Sequence, residues 1–117
     1  MGLADIFRKK TGVSFEAVDS PDKARLMNQE GVLERMYLMP LEFGGEDSAR
    51  NYVLVPRGVN ALKEEIDGMI ADLVEQGEIT GYKASLEYKG KSVVPSKVII
   101  HATKEGKERF TETINIW

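Results

Sequence analysis

The sequence lacks cysteine altogether and contains a single histidine, His101, among its 117 residues. Without cysteine the chain can form neither a disulfide nor a thiol nucleophile, and it offers no thiolate to a metal ion. One histidine also excludes a metal site built from several histidines. These absences remove whole classes of enzyme and metalloprotein, and nothing in the sequence indicates a cofactor or a resident metal.

His101 still allows a serine–histidine–carboxylate triad to be drawn, because Ser85, Ser92 and Ser96 lie nearby in the sequence. None of these serines, however, lies in the G-x-S-x-G pattern that exposes a nucleophile at a strand-to-helix turn. A single histidine in a strand is more commonly a hydrogen-bonded surface or partly buried residue. We therefore assign no catalytic residue and favour a non-enzymatic protein.

Long apolar runs and a positive net charge are also missing. No apolar segment approaches the roughly 20 residues that a membrane-spanning helix needs. The first residues, MGLADIFRKKTG, place their charges after the apolar residues and lack the apolar core of a secretory signal. The net charge is −3 and the isoelectric point about 5.2, so no basic field attracts nucleic acid. We expect a cytoplasmic protein of bacterial type that binds neither membranes nor nucleic acid.

Length and composition predict one folded domain that spans residues 1–117. Hydrophobic residues make up 42% of the chain and charged residues 30%, which suits a globular protein with one core. No linker or internal repeat divides the sequence. Residues 1–20 are expected to form a mobile or docking segment, whose first ten residues suit a short helix presenting Leu3, Ile6 and Phe7.

The strongest pattern lies in residues 58–76, GVNALKEEIDGMIADLVEQ. Apolar residues recur there at three- and four-residue spacing, as expected for an amphipathic helix with one face on a core. Gly77 can end this helix, and close approach of a neighbouring strand is one reason, though not the only one, for Gly68 within it. The apolar stripe consists of Val59, Leu62, Ile66, Met69, Ile70 and Leu73. An acidic face is predicted from residues that lie mostly off the stripe, namely Glu64, Glu65, Asp67, Asp72 and Glu75.

Alternating apolar and polar residues predict strands before and after this helix. The candidates are residues 32–39, 51–55, 82–88, 97–103 and 108–117. A shorter helix that begins at Ser20 and Pro21 and ends at Gly31 precedes the first strand. Together these segments predict an α+β two-layer sandwich, in which the long helix covers one face of a mainly antiparallel sheet of about five strands.

Residues 39–51, between the first two predicted strands, form an unusual connection. They place an aromatic residue, two glycines and three carboxylates in a segment longer than the about two to five residues usual in a hairpin. The segment lacks the lysine and hydroxyl of a phosphate-binding loop and the alternating oxygen ligands of a calcium loop. Long ordered loops often carry function, so we predict a structured loop that binds a partner. Its predicted binding residues are Phe43, Glu42, Glu46, Asp47 and Arg50.

The polar side of the C-terminal strands is the second predicted binding surface. Its composition suits contact rather than chemistry, because arginine and tryptophan are common in interface hot spots. An ordinary solvent-facing sheet is the other interpretation. By alternation this face contains Lys83, Ile99, His101, Thr103, Arg109, Thr111, Thr113, Asn115 and Trp117. The predicted binding residues among them are His101, Arg109 and Trp117.

These features predict a protein-interaction module, for example an inhibitor or immunity-like protein, that binds through the acidic aromatic loop, the exposed sheet face, or both. Acidic surfaces steer association with basic partners. The alternative is a small carboxylate-based enzyme, or a metal- or ligand-binding domain, that uses Tyr37, Tyr52 and the charged residues between them (the 37–52 cluster). A structural homodimer, formed through an edge strand or the N-terminal segment, is a further alternative.

Overall fold

A computed structural model describes residues 14–117 as an α+β arrangement of two helices and five strands. The helices are α1 (Pro21–Gln29) and α2 (Val59–Glu75). The strands are β1 (Leu33–Tyr37), β2 (Tyr52–Pro56), β3 (Gly81–Glu87), β4 (Lys97–Lys104) and β5 (Lys107–Asn115). Two short 3-10 turns lie at Phe15–Ala17 and Leu41–Phe43. The helix predicted within the first ten residues lies outside the described residues.

Both helices begin and end close to the residues that the sequence predicts. Ser20 caps α1, since its hydroxyl accepts the N–H of Lys23 at 3.2 Å, and Pro21 fills the first helical position. Gly58 precedes α2. Gly77 follows that helix with a φ of 74°, a left-handed conformation that glycine adopts without a Cβ clash. The long amphipathic helix is therefore confirmed.

The five strands form two antiparallel sheets. β1 pairs with β2, from Leu33 opposite Pro56 to Tyr37 opposite Tyr52. β4 pairs with β3 on one side and with β5 on the other. No ladder joins the two sheets within residues 14–117. The prediction of one sheet of five strands is wrong, because alternation shows which residues are extended but not which strand edges meet.

The helices and both sheets share one hydrophobic core. α2 packs against β1, β2 and β5, while α1 packs against β1 and β2. The described part of the predicted docking segment also contributes: Phe15 is fully buried, and the Val93 N–H donates to the Val18 carbonyl at 2.8 Å. Fully buried side chains elsewhere in this core include Met36, Val55, Ile70, Val98 and Ile116.

Trp117 lies in the core and not on the exposed sheet face where alternation places it. Only 9% of the residue is exposed, and its indole N–H donates to the carbonyl of Val94 at 3.1 Å. β5 ends at Asn115, so the alternation stops before Trp117. Beyond the strand, the N–H groups of Ile116 and Trp117 donate to the carbonyl of Ser96 at 2.7 and 3.3 Å, which turns this segment inward. The predicted exposure of Trp117 is therefore wrong.

A β-bulge interrupts the alternation of β5 near its start. Ala102 lies opposite Phe110, but Thr103 lies opposite Glu108, so Arg109 is an additional residue on β5. The bulge brings Glu108 to the polar face that contains His101, which simple alternation does not predict. Arg109 reaches out of the sheet instead, with its guanidinium 3.4 Å from the carboxylate of Glu78 before β3.

Candidate functional site

One side chain ties both ends of the loop between β1 and β2. The carboxamide of Asn51 donates to the carbonyls of Met39 at 2.8 Å and Glu46 at 2.9 Å, and its oxygen accepts the N–H of Met39 at 2.9 Å. The backbone passes so closely at Gly45 that a Cβ there would lie 2.0 Å from the Met39 carbonyl oxygen. Any other residue at this position requires the backbone to move. The loop is therefore structured, as the sequence predicts.

Phe43 packs inward and does not offer a free aromatic ring. Its ring meets that of Tyr82 edge to face, with the centroids 5.4 Å apart and the ring planes at 68°. Because Tyr82 belongs to β3, this contact fastens the loop to the three-stranded sheet. Phe43 is partly buried against the core, whereas Leu41 on the same 3-10 turn is 45% exposed. Leu41 is thus the more accessible apolar residue of the loop.

The three carboxylates of the loop have different surroundings. Glu46 pairs with Arg50 at 2.8 Å, and both side chains are more than half exposed. Asp47 accepts a hydrogen bond from the Tyr37 hydroxyl, and this bond raises the pKa of Tyr37. Glu42 lines a cleft together with residues of α2. Across residues 14–117, no three histidine or carboxylate side chains gather closely enough to hold a metal ion together.

The 37–52 cluster accordingly divides into two groups. Tyr37 meets Tyr52 edge to face, with the ring centroids 5.9 Å apart. The guanidinium of Arg35 lies over the Tyr52 ring, 4.6 Å from its centroid. The hydrogen bond from Tyr37 links Asp47 to these aromatic residues, while Glu46 and Arg50 pair with each other and are more than half exposed. Asp47 and Glu46 are therefore engaged in separate contacts within the cluster.

A cleft of about 470 Å³ separates the loop from α2. None of its lining residues is basic. Gly68 adds no side chain to the cleft, and a Cβ at this position would meet nothing within 4 Å, so close approach of a strand is not the reason for this glycine. The loop side is lined by Tyr37, Pro40, Leu41 and Glu42, and the helix side by Asn60, Glu64, Asp67 and Gly68. The acidic loop and the acidic helix face therefore meet here.

Asp67 connects this cleft to a buried polar network with Lys63 and Tyr82. Only 1% of Lys63 and 4% of Asp67 are exposed. The Lys63 ammonium lies 2.6 Å from one carboxylate oxygen of Asp67 and 2.8 Å from the Tyr82 hydroxyl. The Tyr82 hydroxyl donates to the other carboxylate oxygen of Asp67. Because the ammonium compensates the charge of Asp67, this carboxylate adds little net charge to the cleft.

Burial governs ionisation within the network. Removal from water disfavours the ammonium ion, so burial lowers the pKa of Lys63 although Asp67 opposes that shift. Burial also raises the pKa of Tyr82, and the hydrogen bond to Asp67 adds to the increase. The phenol therefore stays protonated at neutral pH and can donate to Asp67.

Sequence periodicity does not reveal this network. It assigns Lys63 and Asp67 to the solvated side of the helix because neither side chain is apolar. The sequence feature that indicates the network is the four-residue spacing of Lys63 and Asp67, since residues at i and i+4 lie side by side on a helix. Both also lie within a turn of Val59 or Ile70, which are buried in the same helix.

His101 lies on the polar face of the three-stranded sheet, as the sequence predicts. Its Nδ1 is 2.9 Å from a carboxylate oxygen of Glu108, and the Thr111 hydroxyl donates to the same oxygen. These hydrogen bonds, the one from His101 foremost, lower the pKa of Glu108. Neither of the other two binding residues predicted on this face joins the group, because Arg109 reaches Glu78 and Trp117 is buried.

A scan against models of known protein families finds no match, and a search of curated proteins finds no similar sequence. Among residues 14–117, no helix combines the length and the apolar character needed to cross a membrane.

Proposed function

We propose that this chain is a protein-interaction module whose cleft, without catalysing a reaction, receives a basic side chain of a partner protein. The observation that carries the proposal is the meeting of Glu42, from the loop, and Glu64, from α2, in one cleft without a basic lining residue. Complementary charge across an interface speeds association and selects the partner. An arginine or lysine side chain is the partner chemistry that matches this charge.

The other lining residues suit the aliphatic stem of such a side chain. Pro40 and Leu41 provide apolar surface, and Tyr37 adds an aromatic ring. Lysine and arginine bury their methylene groups along apolar surfaces while the charged head stays with polar groups. The cleft volume of about 470 Å³ also lies within the range of about 300–1,000 Å³ that is usual for ligand sites.

The negative charge available to a partner comes from Glu42 and Glu64, because Asp67 is held by Lys63 and Tyr82. The carboxamide of Asn60 donates to Glu64 at 3.1 Å and orients that carboxylate on the helix surface. An inhibitor or immunity-like role, in which this acidic surface covers a basic site of a larger protein, is the form of binding that we propose.

The test is a titration of the isotope-labelled chain, followed by amide chemical shifts in NMR. Four short peptides differ only at the central residue, which is arginine, lysine, norleucine or glutamate. We expect the arginine and lysine peptides to shift the signals of residues 40–42 and 60–68, and the norleucine and glutamate peptides to leave them unchanged. Shifts spread evenly over all acidic surfaces would contradict a specific cleft.

Two double variants distinguish binding of the peptide in the cleft from a general electrostatic attraction to the acidic protein. Glu42→Gln combined with Glu64→Gln is expected to weaken binding of the arginine peptide about tenfold, as for the loss of about 1.4 kcal/mol of charge-assisted contact. Glu65→Gln combined with Asp72→Asn removes the same charge from exposed positions of α2 outside the cleft. Equal weakening by this control pair would count against the proposal. A dimer in native mass spectrometry that occupies the cleft would favour the homodimer alternative.

A further inference from the structure

Three side chains on the polar face of the three-stranded sheet form a continuous hydrogen-bonded relay. The Ser85 hydroxyl oxygen lies 3.2 Å from Nε2 of His101. Nδ1 of the same histidine lies 2.9 Å from a carboxylate oxygen of Glu108. A hydroxyl, an imidazole and a carboxylate in this order are the parts of a serine nucleophile with its general base and the group that orients the base.

The strand register and the bulge together create this relay. Lys83 lies opposite His101 and Ser85 lies opposite Ile99, so Ser85 and His101 are diagonal neighbours on one face of the sheet. Glu108 reaches His101 because the bulge places it opposite Thr103 instead of Lys104. Strict alternation along β5 would direct Glu108 to the other face of the sheet.

The hydrogen bonds define which nitrogen of His101 can act as a base. Glu108 accepts from both His101 and Thr111, and these bonds lower the pKa of Glu108, so the carboxylate is ionised and accepts the proton on Nδ1. In the neutral imidazole Nε2 is then unprotonated, and it accepts the hydroxyl of Ser85. This tautomer directs the free electron pair of His101 at the serine proton.

We propose that Ser85 is a nucleophile that accepts the acyl group of small activated esters. The serine oxygen forms a bond to the acyl carbon while its proton moves to Nε2 of His101. The ester C–O bond then breaks, and the leaving alcohol takes that proton, which leaves acyl-Ser85 and neutral His101. Water then forms a bond to the acyl carbon while one of its protons moves to Nε2 of His101. The bond between the acyl carbon and the serine oxygen breaks, and that oxygen takes the proton from His101, which releases the carboxylic acid and regenerates the serine hydroxyl.

Two further residues on the same face suit this chemistry. Lys83 is exposed and lies opposite His101, so its ammonium can stabilise the negative charge that develops on the acyl oxygen. Ile99, directly opposite Ser85, offers a partly exposed apolar surface to a short acyl chain. The face is open, since the side chain of His101 is 30% exposed and that of Glu108 is 56% exposed. The site therefore suits short, unhindered acyl groups.

This site lies on the sheet face opposite Tyr82 and does not depend on the proposed function of the cleft.

The test exposes the full chain to p-nitrophenyl acetate and locates the acetyl group by peptide mass spectrometry after short reaction times. We expect acetylation of Ser85 and only background acetylation of Ser48, an accessible serine whose hydroxyl bonds Glu46 but no histidine. His101→Gln should slow acetylation of Ser85 on the order of 100-fold, as for loss of a general base. Glu108→Gln should slow it less, because the base remains but its orientation is weakened.

A second measurement uses the absence of cysteine from the chain. The variant Ser85→Cys introduces a unique thiol beside His101, and Ser48→Cys is the matched control without the imidazole. We expect iodoacetamide to alkylate the first variant faster than the second at pH 7, and His101→Gln to abolish the difference. Equal alkylation rates, or acetylation of Ser85 that is unchanged by His101→Gln in a chain with an unchanged melting temperature, would overturn the proposal.

Discussion

The two flanks of α2 differ in chemistry and in burial. On one flank the charged residues Lys63 and Asp67 are buried, with 1% and 4% of each exposed. On the other flank the apolar residues Leu62 and Met69 are 37% and 48% exposed. The polar flank meets Tyr82, which completes its hydrogen bonds. The orientation of a helix therefore depends on the hydrogen-bond partners in neighbouring elements as well as on its apolar stripe.

The polar flank is buried because its groups satisfy one another. Among the described residues, no buried side-chain nitrogen or oxygen lacks a hydrogen-bond partner. A buried ion pair contributes little more to stability than an apolar pair of similar volume, but removal of one partner leaves an uncompensated charge in the interior. The polar flank should therefore respond strongly to single substitutions, and the apolar flank weakly.

The largest effect is expected from Lys63→Met. The substitution removes the ammonium and leaves the carboxylate of Asp67 buried with only the Tyr82 hydroxyl as a partner. We expect the free energy of unfolding to fall by about 3–5 kcal/mol. Equilibrium denaturation in urea, with an unchanged dependence on urea concentration, measures this loss.

The double variant Lys63→Leu and Asp67→Leu is the control for that prediction. It removes both charges together, so no uncompensated group remains, and its stability should equal or exceed that of the unmodified chain by up to about 4 kcal/mol. If the double variant loses as much stability as Lys63→Met, the uncompensated charge of Asp67 does not explain the loss in the single variant.

Tyr82→Phe should have an intermediate effect, with a distinctive pH dependence. Loss of the hydroxyl removes one hydrogen bond to Asp67 and is expected to cost about 1–3 kcal/mol at neutral pH. The folded chain keeps the Tyr82 proton above the ordinary tyrosine pKa of 10.0, so the stability that this group contributes is present below that pH and is lost as the pH rises above it.

The pH profile of the melting temperature distinguishes this effect from a loss of packing. The other titrating groups are present in both proteins, so the difference between the two profiles reports on Tyr82. We expect the destabilisation caused by Tyr82→Phe to shrink as the pH rises above 10.0. A constant difference across that range would mean that the proton of Tyr82 is not held by the fold.

The smallest effect is expected on the apolar flank. Leu62→Gln and Met69→Gln place polar groups where the side chains are already substantially exposed. Each should change the free energy of unfolding by no more than about 0.5 kcal/mol in thermal or chemical denaturation. A loss comparable to that of Lys63→Met would show that this flank is covered in solution and would remove the contrast between the two flanks.

Sequence patterns predict the local elements of this fold well because these elements depend on near neighbours. The cap at Ser20, the stop at Gly77 and the periodicity of residues 58–76 all act within a few residues, and the structure confirms them. The division into two sheets and the bulge at Arg109 depend on pairing between distant strands. Alternation within a single strand contains no information about that pairing.

The sequence predicts each side of the candidate cleft separately but does not predict that the two sides meet. Glu42 belongs to the predicted acidic loop and Glu64 to the predicted acidic helix face, but only the three-dimensional fold places them on the walls of one cleft. Phe43 illustrates the same limit, because its aromatic character predicts a contact but not that Tyr82 is the partner. Contacts between residues that are far apart in the sequence can be identified only from the three-dimensional fold.

The bonds of Asn51 and the contact of Phe43 have a consequence for the thermodynamics of recognition. Because they fix the loop in the free protein, its conformational entropy is lost during folding and not during association. A mobile loop would lose about 0.5–1.5 kcal/mol of affinity for each side chain that becomes ordered in the complex. A contact at this loop, even one as small as a single basic side chain, would therefore lose none of its affinity to ordering of the loop.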